Sequence, residues 1–244
     1  MRLCVLPVSG LALLALSINV AANEKYDNYG FVGGSVTVGE SVFSNGGAKG
    51  GVEPNIFYNG EYGFIDGSLL NYSVLPWVGI SGQWRFAEVS DDFDDFDDIP
   101  NGIHDRDGNG ELGLTLGTVG ARLTYLHDVT NEHNGYEVQL HLGRAFHTPF
   151  EPFTLSPYVE VDYRDAKLSN HLYRVSTNES RASGLDAFDS GSTWVYKSGL
   201  IGIYDFSDEF IGLTKLELEH HDNASPLVQQ DVAWQFSIGA AYTF

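Results

Sequence analysis

The chain has 244 residues, with 28 glycines, one cysteine and a formal net charge of −20. Such an acidic balance argues against a nucleic-acid-binding protein, because phosphate binding needs an excess of Lys and Arg. It also excludes attachment to an anionic lipid surface by charge. Aromatic residues make up 13% of the sequence, which argues against an acidic disordered protein. The mean hydropathy of −0.14 would, by itself, indicate a soluble protein.

Residues 1–22 have the three-part pattern of a secretory signal peptide. A positive start at Met1-Arg2 is followed by an apolar run over residues 3–18 and then by small residues. Pro7 and Gly10 interrupt the run, which is also shorter than the ~20 apolar residues that a transmembrane helix needs. We therefore expect this segment to be a cleaved export signal.

Residues 23–244 would then form the mature protein. Removing the leader removes one basic and no acidic residue, so the formal net charge becomes −21. Cys4, the single cysteine of the sequence, is removed as well. An exported protein of this size without disulfides must be stabilised in another way, and it has no thiol nucleophile and no cysteine-based metal site.

Apolar and polar residues alternate along most of the mature chain, which is the pattern of β-strands. No segment repeats apolar residues at helical spacing, so we expect no long amphipathic helix. The clearest alternation covers residues 78–86, 136–143, 159–164, 215–219 and 234–244.

Alternation fits two architectures: a soluble β-sandwich, whose apolar face points to a core, and a transmembrane barrel, whose apolar face points to lipid. The segments are about 9–14 residues long, as a tilted crossing of a bilayer requires. Aromatic residues also lie at the segment ends, where the interface girdles of a barrel belong. These aromatic residues are Trp77, Tyr125, Tyr136, Tyr163, Trp194, Trp234 and Phe244.

The C-terminal segment favours the barrel most strongly. Its apolar residues alternate up to the last position and share one face of a strand with Ala240. This pattern is similar to the signal read by the outer-membrane barrel assembly machinery. The residues that form it are Trp234, Phe236, Ile238, Tyr242 and Phe244.

The strand count follows from how residues 111–129 are divided. As one strand they give eleven in total, whereas single-chain bacterial barrels almost always have an even number. Gly117 and Gly120 suit a tight turn in this segment. The sequence therefore predicts an all-β fold, an antiparallel transmembrane β-barrel of about twelve strands, with ten as the alternative and no long helices. The expected strands are 27–40, 51–59, 62–73, 75–87, 111–118, 120–129, 135–147, 153–165, 170–177, 192–206, 209–221 and 230–244.

With both chain ends on the periplasmic side, this count assigns each loop to one side of the membrane. It places residues 44–50, 147–153, 177–193 and 220–229 outside the cell. It places the acidic segment 89–110 on the periplasmic side, where turns are usually short.

Several segments, read in order, resemble the MipA/OmpV family of outer-membrane proteins, whose name refers to an MltA-interacting protein. The resemblance covers nearly the whole mature chain and rests on the order and spacing of the segments. Two departures are His171-Leu172-Tyr173-Arg174, where the family has a run of tyrosines followed by Gly, and a longer, more Asp-rich acidic insert. The matching segments are 133–137, 171–176, 179–185, 225–228 and 239–244.

The resemblance implies a Gram-negative outer-membrane barrel without established enzymatic activity. Its best-known member is a scaffold that links a lytic murein transglycosylase to a bifunctional penicillin-binding protein, and other members are described as adhesins or antigens. The expected function is therefore a non-enzymatic scaffold for peptidoglycan synthesis or maintenance of the cell envelope. The alternatives are a narrow pore, a surface adhesin or antigen and, less favoured, an envelope hydrolase or acyltransferase.

The acidic loop at about 88–110 carries the densest charge of the sequence. Six of the eight residues in 91–98 are acidic, which fits a solvated loop, a collector of divalent cations or a docking surface for a basic partner. Just after it, residues 105–110 match the first half of a calcium-binding loop. The bidentate Glu of such a loop is missing, because Leu116 stands at its place. We expect no cofactor beyond a weakly bound divalent cation such as Ca²⁺, with Asp105, Asp107, Asn109 and Glu111 as the tentative ligands.

Charged residues at the polar positions of the strands are expected to face the lumen as ion pairs, because an unpaired charge there would be costly. A selective pore is the alternative use of these side chains. The lumen candidates are Arg85, Glu137, His141, Arg144, Glu160, Asp162, Arg164, Lys197, Lys215, Glu217 and Glu219. His220-His221-Asp222 could belong to a metal site or a hydrolase, but we expect an exposed histidine pair and no catalytic residue. The expected partners are outer-membrane lipid, the assembly machinery and the two murein enzymes.

Overall fold

The computed structural model describes residues 28–44, 46–90, 99–150 and 152–244. The expected leader and the acidic run 91–98 lie outside the described residues. The described chain forms thirteen strands and two helices of eight and seven residues. Neither helix is long and apolar enough to cross a bilayer. The prediction of an all-β protein with no long helices is confirmed for this part of the chain.

The elements follow one another in a simple meander that is interrupted by one helical excursion. The strands are β1 (Tyr29–Glu40), β2 (Lys49–Gly60), β3 (Gly63–Asp66), β4 (Leu69–Leu75), β5 (Val78–Arg85), β6 (Asn109–Thr118), β7 (Ala121–Asp128), β8 (Tyr136–Gly143), β9 (Phe146–His147), β10 (Phe153–Arg164), β11 (Thr193–Asp205), β12 (Phe210–Asp222) and β13 (Ala233–Thr243). The helices α1 (Ala166–Tyr173) and α2 (Thr177–Ser183) lie between β10 and β11.

Twelve of the thirteen strands close into an antiparallel barrel. Each strand pairs with its neighbour in sequence, β8 pairs with β10, and β13 pairs with β1 to complete the ring. The two-residue strand β9 lies beside β10 as an additional piece. The predicted twelve-stranded barrel is confirmed, and its closure leaves no edge along the β1–β13 seam.

The tight turn expected near Gly117 divides β6 from β7. Thr118 pairs with Ala121, which leaves a two-residue connection. Gly117 has a φ of +116°, and a Cβ at this position would lie 2.1 Å from the carbonyl oxygen of Ala121. Only glycine fits such a backbone and such a close approach, so the expected division of residues 111–129 is confirmed.

Two of the expected strands were wrong, and their errors cancel in the count. Residues 62–73 form two strands, β3 and β4, because the chain turns at Gly67 with a φ of +59°. Residues 170–177 were expected to be a strand and instead lie mostly in α1 and the start of α2. The total of twelve is therefore correct although two of its members are not.

The first of these errors also reversed the side of the acidic segment. Since neighbouring strands are antiparallel, loops 41–48, 67–68, 86–108, 129–135, 165–192 and 223–232 all lie at one end of the barrel, which we call the loop end. Connections 61–62, 76–77, 119–120, 144–152 and 206–209 lie at the other, the turn end, with Tyr29 and Thr243. The described parts of the acidic segment, residues 89–90 and 99–110, thus lie at the end opposite Tyr29 and Thr243. Residues 147–150 and 152–153 lie at the turn end.

The outward face of the barrel is apolar, as the alternation predicted. On β13, Phe236, Ile238 and Tyr242 are exposed and the residues between them point inward. Neighbouring strands carry a row of aromatic rings near the loop end, with centroids 5.1–6.3 Å apart. This row, formed by Tyr125, Tyr136, Tyr163 and Trp194, is the expected girdle at strand ends.

The main hydrophobic core lies at the loop end, not in the middle of the barrel. The described residues of loops 41–48 (without 45), 86–108 (without 91–98), 165–192 and 223–232 fold together around it, and we call this assembly the cap. Its buried core is formed by Val42, Phe43, Val89, Ile99, Ile103, Leu168, Leu172, Tyr173, Val175 and Leu227. The cap lies at this end of the barrel and brings residues distant in sequence into contact.

Candidate functional site: a capped, ion-paired lumen

The cap is shaped by the helical excursion between β10 and β11. Asp165 caps α1 by accepting a hydrogen bond from the backbone N–H of Leu168, and Leu168 and Leu172 point into the core one turn apart. Ser176 and Glu179 form a capping box at the start of α2. Val175 pairs with Phe188 in a short β-bridge that closes the excursion. Local hydrogen bonds thus build a lid from a segment without long secondary structure.

Directly below the cap, five charged side chains form a buried group that we call the arginine cluster: Arg85, Glu88, Glu111, Glu137 and Arg164. Arg85 pairs with Glu111 at 3.1 Å and with Glu137 at 3.0 Å, and Arg164 pairs with Glu137 at 2.8 Å. The register of β8 against β10 places Glu137 directly opposite Arg164. Each arginine therefore meets a carboxylate of a neighbouring strand, which offsets the cost of burying its charge.

Glu88 connects the cap to this cluster. It is the one member that belongs to loop 86–108 and not to the barrel wall. Its carboxylate accepts hydrogen bonds from Arg85 at 2.8 Å and from both terminal nitrogens of Arg164 at 2.9 and 3.0 Å. Burial alone would raise the pKa of Glu88, but the two guanidinium groups hold it below its usual value. Glu88 is therefore ionised and works as an ionic tether.

Tyr173 is the second connection between cap and wall. Its hydroxyl accepts a hydrogen bond from Arg164 at 2.8 Å and lies 2.8 Å from Nδ1 of His221 on β12. The ring packs edge-on against that imidazole and tilts against Phe43. Burial raises the pKa of the Tyr173 hydroxyl, which stays protonated. The end of α1 is thus fixed to two strands of the barrel through one phenol.

A third contact holds the acidic loop against α2. Arg106 pairs with Glu179 at 2.8 Å and also donates to the carbonyl oxygen of Arg174. Although burial would raise the pKa of Glu179, hydrogen bonds from Ser176, Arg106 and the backbone of His104 lower it to about 2. The carboxylate is charged at any physiological pH, so this contact persists.

Loop 129–135 closes the side of the cap. Asp128, at the end of β7, accepts hydrogen bonds from the backbone of Thr130, His133 and Asn134. Burial lowers the pKa of His133 to about 4. Its Nδ1 accepts from the backbone N–H of Gly135, so the neutral ring carries its proton on Nε2, 4.0 Å from a carboxylate oxygen of Glu111.

Further down the lumen, Lys197 binds two acidic residues of β10. It lies 3.2 Å from Glu160 and 2.9 Å from Asp162, and Glu160 also lies 2.9 Å from His141. We call these four residues the lysine cluster. Glu160 stands directly opposite both Lys197 and His141 in the strand register, which places all three on the same inner face. A second group of ion pairs therefore lies on the inner wall of the barrel, across the neighbouring strands β8, β10 and β11.

Apolar side chains line the lumen toward the turn end. Ile211, Leu213 and Ala241 are buried there, and Phe31 and Ile203 pack against them. The ring of Phe31 also stacks on that of Phe57 at 5.3 Å. The lumen thus passes from the cap through two layers of ion pairs to an apolar group.

The four tentative calcium ligands are not brought together as a loop site. Asp105 and Asp107 are exposed on the loop, whereas Asn109 and Glu111 are buried and point into the lumen from β6. Among the described residues, no three His, Cys, Asp or Glu side chains are placed to hold a metal ion. Glu111 is instead a member of the arginine cluster, where Arg85 is its partner.

The other candidate residues divide into two groups. Most of the expected lumen charges lie in the arginine and lysine clusters, and Lys215 pairs with Glu217 at 3.2 Å. Arg144 was wrongly placed in the lumen, because β8 ends at Gly143 and its side chain lies exposed over the ring of Phe146. The expected exposed histidine pair is half right, since β12 turns His220 outward and buries His221.

The cap residues Glu88 and Tyr173 were not recognised from the sequence. The capping box at Ser176 and the helical spacing of Leu168 and Leu172 were readable signals for a helical lid. The reach of Glu88 into the lumen had no local signal, because it depends on how the acidic loop folds back.

Comparison with known proteins identifies the chain's relatives. A family model described as MltA-interacting protein MipA matches residues 32–244. The protein named "Putative outer membrane protein YiaT" of Escherichia coli (strain K12) is 25% identical over 205 residues, covering 78% of this chain and 81% of that protein. The segments that carry the resemblance, among them 133–137, 171–176 and 225–228, meet at the cap and the arginine cluster.

Solved outer-membrane barrels show a distant likeness. Neisserial surface protein A is 8% identical with a TM-score of 0.31, and the alignment covers 88% of this chain and 96% of that one. The outer membrane channel DcaP of Acinetobacter baumannii is 11% identical with a TM-score of 0.34, covering 88% and 96%. At such scores these likenesses carry no argument about function.

Proposed function

Because the chain belongs to the MipA family of outer-membrane β-barrel proteins, we propose that it works as a closed, non-enzymatic scaffold for murein enzymes of the cell envelope. The proposal has two parts: the barrel conducts no ions in its resting form, and its exposed surface binds other proteins. The protein lies in the outer membrane, so such partners meet it at one end of the barrel or within the bilayer.

The ion pairing of the lumen charges is the observation that supports the first part. A conducting pore needs a continuous aqueous path lined by groups that are free to interact with the passing ion. Here Arg85, Arg164 and Lys197 each have carboxylate partners within 3.2 Å. Opening a path would separate these pairs and leave buried charges without partners, which costs several kcal/mol for each.

The cap adds a second barrier. Its hydrophobic core lies at the loop end, and the cap is tied to the wall through Glu88 and Tyr173. The Arg106–Glu179 pair joins two loops of the cap to each other. Displacing the cap would expose this core to water, at about 25 cal/mol for each Å² of apolar surface. The barrel is therefore stable in its closed form.

The second part rests on the family. The name of the matching family refers to an interaction with a murein enzyme, and the expected partners are a lytic transglycosylase and a bifunctional penicillin-binding protein. The turn end offers a surface that could bind these partners. Connection 144–152 is the longest at that end and carries the exposed side chains of Phe146 and Phe150. Exposed aromatic residues of this type are enriched at protein interfaces.

Binding of purified partners tests the scaffold. The barrel is reconstituted in nanodiscs and immobilised, and the soluble domains of a lytic transglycosylase and a penicillin-binding protein are passed over it separately and together. We expect each enzyme domain to bind alone. We also expect the penicillin-binding protein to bind when the transglycosylase is already bound. Empty nanodiscs are the control. Folding of the barrel is checked by gel electrophoresis, because a folded barrel migrates differently before and after heating. Absence of binding to a folded barrel contradicts the scaffold.

A hydrolase or acyltransferase is the weaker alternative, suggested by the contact of His221 with Tyr173 and Glu219. These three side chains form a chain of contacts, but the phenol is fully buried within the cap and anchors it to the wall. Lipid or murein turnover that is lost in the variant His221→Gln would support catalysis against the scaffold.

A further inference from the structure

One histidine of the barrel wall, His221, lies at the junction with the cap. It points inward from β12 and is only 3% exposed. The rings of Tyr173 in α1 and of Phe43 in loop 41–48 pack edge-on against its imidazole, with centroids 5.7 Å away in both cases. A change in the charge of this side chain therefore acts directly on the contact that holds the cap to the wall.

The hydrogen-bond partners of His221 fix the position of its proton in the neutral form. Nε2 contacts the carboxylate of Glu219, which accepts, so this nitrogen carries the proton. Nδ1 then has no proton and accepts from the Tyr173 hydroxyl at 2.8 Å. The same hydroxyl oxygen accepts from Nη1 of Arg164, which can only donate. The hydrogen bonds thus run in one direction, from Arg164 through Tyr173 and His221 to Glu219.

A second proton on His221 reverses its bond to the cap. Nδ1–H then donates to the Tyr173 oxygen, which has two lone pairs and keeps its bond from Arg164. The phenolic O–H turns away from His221 toward another acceptor. The carboxylate of Glu88 is placed to accept it, because Glu88 and the Tyr173 oxygen bind the same nitrogen of Arg164, at 2.9 and 2.8 Å. The protonated state therefore has one more hydrogen bond at this junction than the neutral state.

The wall around His221 has fewer cations than carboxylates. The arginine cluster holds three carboxylates and two guanidinium groups, and the lysine cluster holds two carboxylates and one ammonium group. Glu219 adds another carboxylate, and within the described part of the chain no Arg or Lys lies within 4 Å of it. A proton on His221 gives Glu219 the cation that it lacks. The charged and titratable groups that face His221 are Glu219 of β12, Tyr173 of α1, Glu88 of loop 86–108 and, behind them, Arg164 of β10 and Lys197 of β11.

We propose that His221 is a pH sensor that tightens the cap when the medium becomes acidic. On the acid side of the titration of imidazole, the bond from His221 to Tyr173 is charge-assisted and Tyr173 also binds Glu88. On the alkaline side, the neutral ring only accepts from Tyr173, and Glu219 keeps its charge without a cation. Because the closed cap binds the proton, its stability is highest at acid pH and falls as the pH rises through this range. This role is independent of the proposed binding of murein enzymes.

Hydrogen–deuterium exchange of the α1 amides in the detergent-solubilised protein tests the sensor at about pH 5.5 and about pH 8, on either side of the usual titration of imidazole. Each rate is divided by that of an unstructured peptide of the same sequence, which removes the intrinsic pH dependence of exchange. We expect the cap to open about tenfold less often at the lower pH, the effect of one hydrogen bond to a charged group. His133, whose pKa is about 4, stays neutral at both pH values.

Three histidine variants assign the effect. His221→Gln removes the titrating group and should abolish the difference between the two pH values. His220→Gln is the matched control, because β12 turns that side chain outward, away from the cap. His171→Gln is the second control, since His171 belongs to α1 itself and its Nδ1 lies 3.9 Å from Glu132. Both control variants should keep the tenfold difference.

Nitrogen-15 NMR of histidine-labelled wild-type protein reads the proton directly and does not depend on the folding of His221→Gln. The signal that moves in Tyr173→Phe identifies His221. We expect a proton on Nε2 alone at about pH 8 and on both ring nitrogens at about pH 5.5. The proposal is overturned if Nδ1 has no proton at the lower pH, if the wild-type cap opens as often or more often there, or if His221→Gln keeps the difference. Binding of murein enzymes is measured separately, so failure of either proposal leaves the other intact.

Discussion

Replacing Glu88 by Gln removes the charge that ties the cap to the barrel wall. The side chain keeps its length, so the change tests charge and not packing. In the wild type this carboxylate receives three hydrogen bonds from Arg85 and Arg164, at 2.8–3.0 Å. The amide of Gln has one acceptor oxygen, and its NH₂ group would face a guanidinium donor. The two arginines would then share only the carboxylates of the wall.

The size of the effect follows from burial. Removing one partner of a fully buried ion pair costs about 3–5 kcal/mol, because the other charge stays behind unpaired. Arg85 and Arg164 are 7% and 2% exposed, but Glu88 is 24% exposed, so water screens part of the loss. We therefore expect the free energy of cap opening to fall by about 2–3 kcal/mol. At 1.4 kcal/mol for each factor of ten, opening becomes about 30- to 150-fold more frequent.

Hydrogen–deuterium exchange of the α1 amides measures this opening directly. Exchange in Ala166–Tyr173 should accelerate by that factor in Glu88→Gln, whereas the amides of β12 should not change. Asp189→Asn is the matched control, since its pair with Arg174 is exposed on both sides and should contribute at most about 1 kcal/mol. Equal exchange in Glu88→Gln and the wild type, or equal acceleration in the control, would refute the role of Glu88 as a tether.

Three other outcomes follow from the geometry. Because burial lowers the pKa of His133 to about 4, loop 129–135 should be most stable above pH 6.5 and should lose stability as the pH falls toward 4. Amide exchange in this loop should follow that pH dependence in the wild type and lose it in His133→Asn. Tyr173→Phe should lower the stability of the cap by about 1–3 kcal/mol, because the buried side chains of Arg164 and His221 lose their partner. Thermal unfolding followed by circular dichroism measures this loss. Gly117→Ala should lower the temperature of the heat-dependent gel shift, since its φ is positive and its Cβ would meet a backbone oxygen at 2.1 Å, while Gly34→Ala should leave it unchanged.

The barrel itself was predictable because its rule is local. In a membrane barrel every second residue must face lipid, so the apolar face of β13 could be read from residues 234–244 alone. The turn at Gly117 was predictable for the same reason, because the parity of the strand count required a break and glycine supplied it. The lumen charges followed from alternation as well, apart from Arg144, whose position depends on where β8 ends.

The cap was not predictable in the same way. Its core joins Val42, Val89, Leu172 and Leu227, which come from four loops and share no periodic pattern. The excursion was mistaken for a strand because its helices are short and the apolar residues of α1 span only two turns. The hairpin at Gly67 was missed because the alternation continues almost unbroken through the turn. Both errors concern segments whose structure is decided by packing on the rest of the barrel.

In the proposed resting form, the cap and the two clusters of ion pairs close the lumen. Single-channel recording of the purified protein in planar bilayers tests this most directly. We expect no steady conductance for the wild type at neutral pH, and brief openings that become more frequent in Glu88→Gln. Steady open currents from the wild-type protein would contradict the account, since they would require a continuous aqueous path through the two ion-pair clusters.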